Sequence, residues 1–209
     1  MSNVSQGRLA SLVLWITLVV EAGYLCVERV RHHAGWDRLE QPVIFLAIFA
    51  VLAVLRGRLF WYPTIIRAFL AFEFGSAVAD RFGWLGPPGS GVAWGDFAHF
   101  VAYTNRLNAF LPAGLAFPLA VLATIAECTL TVTLLLGIRT RSACAGAAIL
   151  LCLFGSAMTA SGLVAGQFYY AVFVLAAGSW YMSTIDPTWL SVDQLIAHRR
   201  AGRGVTEAR

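Results

Sequence analysis

The sequence predicts an all-α integral membrane protein in which six helices cross the bilayer. Hydrophobic residues make up 59% of the 209 positions, charged residues only 12%, and the mean hydropathy is +0.72. A soluble domain carries roughly twice that charged fraction to cover its surface. Residues 142–185 contain no charge, which is enough chain for two spans. The composition excludes soluble enzyme folds, disordered chains and nucleic-acid binders, and it makes the lipid bilayer the first expected partner.

Six apolar runs lie near the roughly 20 residues that a helix needs to cross the hydrocarbon. The first run follows a single Arg and precedes no A-x-A-like site, so a cleaved signal peptide is the weaker interpretation. A four-span alternative without the first two runs keeps the same orientation. The glycine-containing segment 162–167 is the expected turn between the last two spans. The predicted spans are residues 9–27, 42–55, 63–82, 112–138 and the two halves of 142–185.

A long loop, residues 83–111, separates the third and fourth spans. It opens with a glycine- and proline-rich segment that cannot be helical. Apolar residues then recur at three- and four-residue spacing, with polar residues on another face, which predicts an amphipathic helix in the membrane interface. The apolar face comprises Phe97, Phe100, Val101, Thr104, Leu107 and Leu111, and the polar face Asp96, His99, Tyr103 and Arg106.

The arginines predict the orientation, because basic residues concentrate on the cytoplasmic side of short loops. All 15 basic residues are Arg. With six spans and both termini inside, ten of them face the cytoplasm against three acidic residues, whereas five Arg and five acidic residues face outward. We therefore expect cytoplasmic N- and C-termini. The remaining three acidic residues, Glu21, Glu73 and Glu127, fall within predicted spans.

Residues 67–196 resemble the DoxX/DoxD family of redox-associated membrane proteins, also called MauE/DoxX. The most specific element is the intramembrane Glu127 followed by the helix exit LLLGIRTR at residues 134–141. This chain has Asp80 and Arg81 where family members usually have a Lys, and Cys128 and Thr129 where many have a Gly. The other motifs of the resemblance are RAFLAFEFGSAVAD at residues 67–80, WLGPPG at 84–89 and NAFLP at 108–112.

The resemblance implies three regions in the chain. Residues 1–62 form an N-terminal region with two transmembrane helices, residues 63–190 a DoxX-like four-helix transmembrane domain, and residues 191–209 a basic cytoplasmic tail. One group of the family forms the small subunit of thiosulfate:quinone oxidoreductase. The resemblance therefore implies a component of a quinone-linked redox system in a bacterial-type plasma (inner) membrane, with a redox protein partner that carries the electron-transferring cofactor.

The intramembrane glutamates are the first candidates for chemistry, because burying an ionisable group in mid-membrane costs about 3 kcal/mol on insertion scales. Thr124, Glu127, Cys128 and Thr131 form a polar stripe at helical spacing, and Glu73 shares its face with Ser76 and Asp80. We predict that Glu127 and Glu73 handle protons. The alternative is that each carboxyl bonds to a neighbouring helix and only fixes packing. Glu21 has no comparable polar company.

Four further residues are candidate quinone contacts: His99, Tyr103, Trp84 and Arg67. His99 could orient a quinone head group or relay a proton, or it could be a solvated side chain. Arg67 could instead bind a lipid phosphate or an acidic residue on another helix. The four cysteines lie in apolar runs without C-x-x-C spacing, and we find no haem, metal or nucleotide site.

Two other functions stay open at this point. A non-catalytic anchor or assembly factor for a redox enzyme predicts that Glu127→Gln leaves the activity of the system intact. A small transporter would favour discontinuous helices or inverted repeats around a midplane site, and the sequence shows neither clearly.

Overall fold

A computed structural model describes residues 3–55, 58–185 and 189–206, and every regular element in these ranges is helical. The 3₁₀ turn Ala113–Leu115 precedes the fifth helix. The helices are α1 Asn3–Arg31, α2 Trp36–Leu55, α3 Tyr62–Arg81, α4 Phe97–Leu107, α5 Ala116–Leu136, α6 Thr140–Ala160, α7 Val164–Tyr169, α8 Val172–Ser183 and α9 Val192–Thr206.

Within the described residues, four helices are long and apolar enough to cross a membrane: Ser5–Arg31, Arg38–Leu55, Ala116–Leu136 and Thr140–Ala160. The predicted all-α class is confirmed for the described residues, and the four helices of membrane-spanning length and composition agree with a multi-pass membrane protein. The other two predicted spans differ. Helix α3 has 20 residues but carries four charges, whereas α8 is apolar but has only 12 residues, about 18 Å of helix. The six-span arrangement therefore stays a prediction.

The bundle has two distinguishable ends. At the tail end, α3 begins beside the α5–α6 turn and the start of α9, because Arg67 of α3 bonds to Leu190 and Asp193 bonds to the start of α6. At the loop end, α3 finishes against the first half of α5, and residues 82–96 and α4 lie over this region. Arg56, Asp186, Glu207 and Arg209, which contribute to the predicted charge bias, lie outside the described residues.

The interior of the bundle is apolar and continuous. Helix α6 packs along α8, α3 along α5, and α1 along α8 and α2. Helix α1 contributes Ala10, Leu14 and Leu18 to this core, at the four-residue spacing that keeps side chains on one helix face. The N-terminal helix is thus packed into the bundle as the other long helices are.

The last arm of the bundle is broken. The predicted turn at residues 162–167 is shorter in the structure: Gly162 has φ +76°, and α7 already begins at Val164. A second interruption separates α7 from α8 at Ala171, which has φ +46°. A left-handed conformation costs a non-glycine residue about 1–2 kcal/mol, so the surrounding packing holds this break in place. Ala171 itself is completely buried.

The helix expected within the long loop is present as α4. The Asp96 carboxylate accepts the backbone N–H of His99 and so caps the helix. This N–H and the His99 side chain hold the pKa of Asp96 below its usual value. Phe100, Thr104 and Leu107 are buried, in agreement with the predicted apolar face. Its predicted position in the membrane interface stays a prediction.

Candidate functional site

A buried ion pair joins α3 to α5 at the loop end. Arg81 Nη2 lies 2.7 Å from Glu127 Oε2, and both side chains are 2% exposed. Arg81 Nη1 also donates to Thr124 Oγ1 at 3.0 Å. Thr124 and Glu127 are three residues apart and share a helix face, so two of the four residues of the predicted polar stripe face a cation, whereas Cys128 of that stripe is exposed. This pairing offsets part of the cost that either charge would have alone in an apolar bundle.

Aromatic rings enclose the guanidinium of Arg81. Its Cζ lies 3.6 Å from the ring centre of Phe100 and 5.0 Å from that of Trp94. The negative faces of such rings attract a cation, and the attraction strengthens when water is excluded. Arg81 is therefore held by α5 on one side and by the loop and α4 on the other.

The neighbouring Asp80 fixes the loop over this pair. Its carboxylate accepts the backbone N–H groups of Trp94 at 3.0 Å and Gly95 at 2.9 Å, and the side chain is almost fully buried. Gly95 has φ +74°, and a Cβ at this position would overlap the backbone of Pro87 and Pro88. The loop can therefore close against α3 only with glycine here.

A cavity of about 1130 Å³ lies beside the ion pair. Its wall is mostly aliphatic and aromatic, which is typical of sites for small organic ligands. Parts of α2, α3, α5, α6 and the α7–α8 break surround it, and the loop and α4 lie over it. The polar and ionisable side chains in its wall include Glu73, Arg81, Glu127, Tyr103, Asn108 and Tyr170.

The structure brings together three of the six predicted site residues. Glu73, Glu127 and Tyr103 all line the cavity. Tyr103 is half-buried, and this burial raises the pKa of its phenol, so the hydroxyl remains a donor at neutral pH. The two carboxyl groups that we selected for proton handling thus border the same space.

The other three predicted residues lie away from the cavity wall. His99 is 60% exposed, with Nδ1 2.8 Å from Asp96 Oδ1, and Trp84 is 78% exposed. Arg67 lies at the tail end, where its Nη2 donates to the carbonyl of Leu190 at 2.9 Å. It is 3% exposed and near Asp193. A contact from Arg67 or Trp84 to a ligand in this cavity would need another conformation.

Sequence reasoning missed Arg81. We counted it among the outer-loop charges, offset by Asp80, whereas the structure places it in the last turn of α3 and buries it. One signal was available: Glu73, Ala77 and Arg81 follow at four-residue intervals, so Arg81 belongs to the same helix face as a predicted site residue. What the sequence could not show is that α5 faces this stripe.

Glu21 differs from the cavity glutamates. It is 3% exposed on α1 and does not line the cavity, and its Oε1 has no hydrogen-bond partner in the part of the chain that the structure describes. Among residues 3–55, 58–185 and 189–206, no group of three or more His, Cys, Asp or Glu residues could hold a metal ion.

The arrangement can bind a polar group that reaches it from an apolar space. Arg81 Nε is buried and has no hydrogen-bond partner among the described residues, so one donor of the guanidinium remains unused. A ligand carbonyl oxygen could accept from the Tyr103 hydroxyl, which lines the cavity, and from Arg81 Nε once the side chains around this closed-off donor give way.

No family model, no curated protein and no solved structure matches this chain. The resemblance to the DoxX/DoxD family therefore rests on the motifs that suggested it.

Proposed function

We propose that the cavity binds a quinone and that the protein is a membrane component of a quinone-linked redox system, as the resemblance to the DoxX/DoxD family implies. The observation that carries this proposal is the buried Arg81–Glu127 pair in the wall of a mostly apolar cavity of about 1130 Å³. A quinone has the matching chemistry, since two carbonyl oxygens sit on a flat apolar ring.

In this proposal each polar residue of the wall has a defined task. Arg81 donates a hydrogen bond to a quinone carbonyl and stabilises the negative charge that reduction places on it. Reduction to the quinol adds two electrons and two protons. A redox protein partner supplies the electrons, and the protons come from water by way of Glu73 and Glu127, each carboxylate taking up a proton before passing it to the quinone. Sulfur compounds such as thiosulfate are the electron source that the family resemblance suggests.

The proposal includes six crossings of a bacterial-type plasma membrane, with both termini in the cytoplasm. Helix α3 can cross because Arg81 is neutralised by Glu127 and Arg67 is buried within the bundle. Helices α7 and α8 together extend over residues 164–183, which is enough for one interrupted crossing. The loop end then faces outward, and α4 lies in the outer interface.

Equilibrium binding to the purified protein in lipid nanodiscs tests this function. We expect a tritiated ubiquinone analogue to bind the wild-type chain, and Arg81→Gln and Glu127→Gln to weaken binding at least tenfold. Glu21→Gln is the matched control, because Glu21 is equally buried but lies outside the cavity wall. Wild-type affinity in both cavity variants would contradict the proposal.

A small transporter is the second candidate, and the broken α7–α8 arm favours it. The interruption borders the cavity through Tyr170 and Val172, and discontinuous helices beside a buried site are typical of transporters. Proteoliposomes loaded with a pH-sensitive dye separate the two functions. Proton flux without quinone, abolished by Glu127→Gln, would favour transport; no flux would favour the redox function.

A further inference from the structure

We propose that the ligand of this cavity is a molecule with a polar head and a hydrocarbon tail, and that the tail lies in a slot between α5 and α6 that opens sideways into the bilayer. This inference rests on the proposed function, because it describes how a quinone would occupy the same cavity. It adds that the site selects a hydrocarbon tail and that the ligand enters sideways from the bilayer.

Residues at the mouth of the slot identify the open side. Leu122 of α5 and Leu153 of α6 both line the cavity, yet each is 62% exposed. Phe110, just before α5, also lines the cavity and is 65% exposed. A side chain that belongs to a cavity wall and is also largely accessible from outside stands at an opening. Leu85 of the covering loop meets the same criterion at 55% exposed, so the cavity is also open beside the loop. The opening between α5 and α6 is the one bordered by the exposed apolar side chains Leu122 and Leu153, which suit lipid.

Helices α5 and α6 flank the slot, and the turn that joins them lies at the tail end of the bundle. Near the tail end they are in contact, since a methyl group on Gly146 of α6 would lie 3.6 Å from Leu130 Cδ2 of α5. Closer to the loop end, cavity-lining residues come from both helices, over residues 119–127 of α5 and 150–160 of α6. Both helices therefore border the cavity on the loop-end side of Leu130, and we place the slot between them there.

Direct contacts join the helices on two neighbouring sides, and α2 borders the cavity through Gln41 and Phe45. Between α3 and α5, the Arg81–Glu127 pair and the approach of Gly75 to Thr131 join the helices. Between α6 and α8, a Cβ on Gly155 would lie 2.8 Å from the ring of Phe173, which shows how closely these helices approach. The loop held by Asp80 covers part of the cavity at its end, where Leu85 remains 55% exposed.

The chemistry of wall and mouth defines the ligand. The charged pair at the inner wall needs a polar head, because an apolar group there would leave Arg81 Nε without a partner. The mouth offers Leu122 and Leu153, which a hydrocarbon chain can cover on its way into the acyl region of the bilayer. A tailed quinone satisfies both requirements, whereas a small hydrophilic ion satisfies only the first.

The test compares a quinone with and without a tail on two matched double variants. Leu122→Trp with Leu153→Trp fills the slot, and Leu135→Trp with Ile149→Trp is the control, because these residues are similarly exposed on the same two helices but do not line the cavity. The probes are tritiated decylubiquinone and tritiated ubiquinone-0, which has no tail, and the equilibrium Kd is measured in nanodiscs.

We expect the slot variant to bind decylubiquinone at least tenfold more weakly while its affinity for ubiquinone-0 is unchanged, and the control to bind both as the wild type does. Retained affinity for ubiquinone-0 also shows that the variant is folded. Unchanged affinity of the slot variant for decylubiquinone would overturn the slot and leave the quinone site standing. If the wild-type protein binds neither quinone, the proposed function fails and this inference fails with it.

A second pair keeps the test decisive if tryptophan at the mouth prevents folding. Leu122→Ala with Leu153→Ala removes the side chains that a tail would cover, so affinity for decylubiquinone should fall about fivefold or more with no change for ubiquinone-0. An equal change for both quinones would overturn the slot.

Discussion

Helix α3 carries two buried arginines with different surroundings. Arg81 and Arg67 are 2% and 3% exposed and lie four turns apart on one helix. Arg81 faces a carboxylate, two aromatic rings and a cavity. Arg67 faces the backbone carbonyl of Leu190 and the neighbourhood of Asp193, and it lines no part of that cavity. A buried arginine therefore indicates a candidate ligand site only when the groups that face it also border a cavity, as they do for Arg81.

The surroundings of Arg67 indicate a structural task. A Cβ on Gly137, which has φ +66° at the end of α5, would overlap the Arg67 guanidinium. Thr64, one turn before Arg67, donates to the carbonyl of Trp189 at 2.7 Å. These contacts join the start of α3, the α5–α6 turn and the segment before α9. Arg67 thus holds the C-terminal segment on the bundle.

The largest effect should come from separating the loop-end pair. Glu127→Gln leaves Arg81 buried without its counter-charge, which typically costs 3–5 kcal/mol, so we expect a fall of about 4 kcal/mol in the unfolding free energy in mixed micelles. The double variant Arg81→Met with Glu127→Leu should recover most of this stability but not bind quinone. A double variant as unstable as Glu127→Gln would show that the pair itself does not explain the loss.

The tail-end arginine should matter less for stability and not at all for the ligand. Arg67→Gln removes a charged hydrogen bond to Leu190, an expected loss of about 1.5–3 kcal/mol. Hydrogen exchange of the amides at residues 191–195 should accelerate, while quinone affinity is unchanged. Arg58→Gln, an exposed arginine near the start of α3, is the control. Loss of quinone binding in Arg67→Gln would contradict the assignment of a purely structural role to Arg67.

A smaller effect is expected at Asp80, which positions the loop over Arg81. Asp80→Asn keeps one acceptor oxygen for the two backbone donors, so the loss should be about 1–2 kcal/mol. The amides of Trp94 and Gly95 should exchange faster, and quinone affinity should fall only a few-fold. Asn108→Ala is the comparison within the same cavity wall. Unchanged protection of both amides would show that Asp80 does not hold the loop.

The smallest effect is a pH dependence at the tail end. Partial burial opposes ionisation of Asp193, but the N–H groups of Thr140 and Arg139 outweigh it and hold its pKa below the usual value. A depressed pKa contributes stability that is present above the ordinary aspartate pKa of about 3.9 and is lost as the pH falls through the folded-state value. Below about pH 4 the amides at the start of α6 should therefore lose protection, measured against the intrinsic exchange rate at the same pH, by an amount typical of a helix cap, about 1 kcal/mol. The same pH profile in Asp193→Asn would contradict this assignment.

The long helices could be predicted from the sequence because each one is an apolar run of membrane length. The helix α4 could be predicted too, because Phe100, Thr104 and Leu107 repeat with the helical period. The break at Ala171 could not, since no glycine or proline stands there to indicate it. A left-handed alanine depends on tertiary packing, which the local sequence does not encode.

The residues of the candidate site likewise divide into those that the sequence could predict and those that it could not. Glu73 and Glu127 were predictable because a carboxyl in an apolar run is conspicuous on its own. Arg81 was not, because its meaning depends on which helix lies opposite, and its place beside Asp80 near a loop suggested a solvated charge. His99 and Trp84 fitted a functional pattern in the sequence, yet both side chains point largely to the exterior.

The Arg81–Glu127 pair also has an electrical consequence. A pair of opposite charges 2.7 Å apart carries no net charge, so a membrane potential does almost no work on it. Any event that protonates Glu127 leaves one positive charge at Arg81 within the field. A charge that senses the whole field gains or loses about 2.3 kcal/mol per 100 mV, and one at partial depth a proportionate share. The protonation of this one carboxylate would then depend on how strongly the membrane is energised.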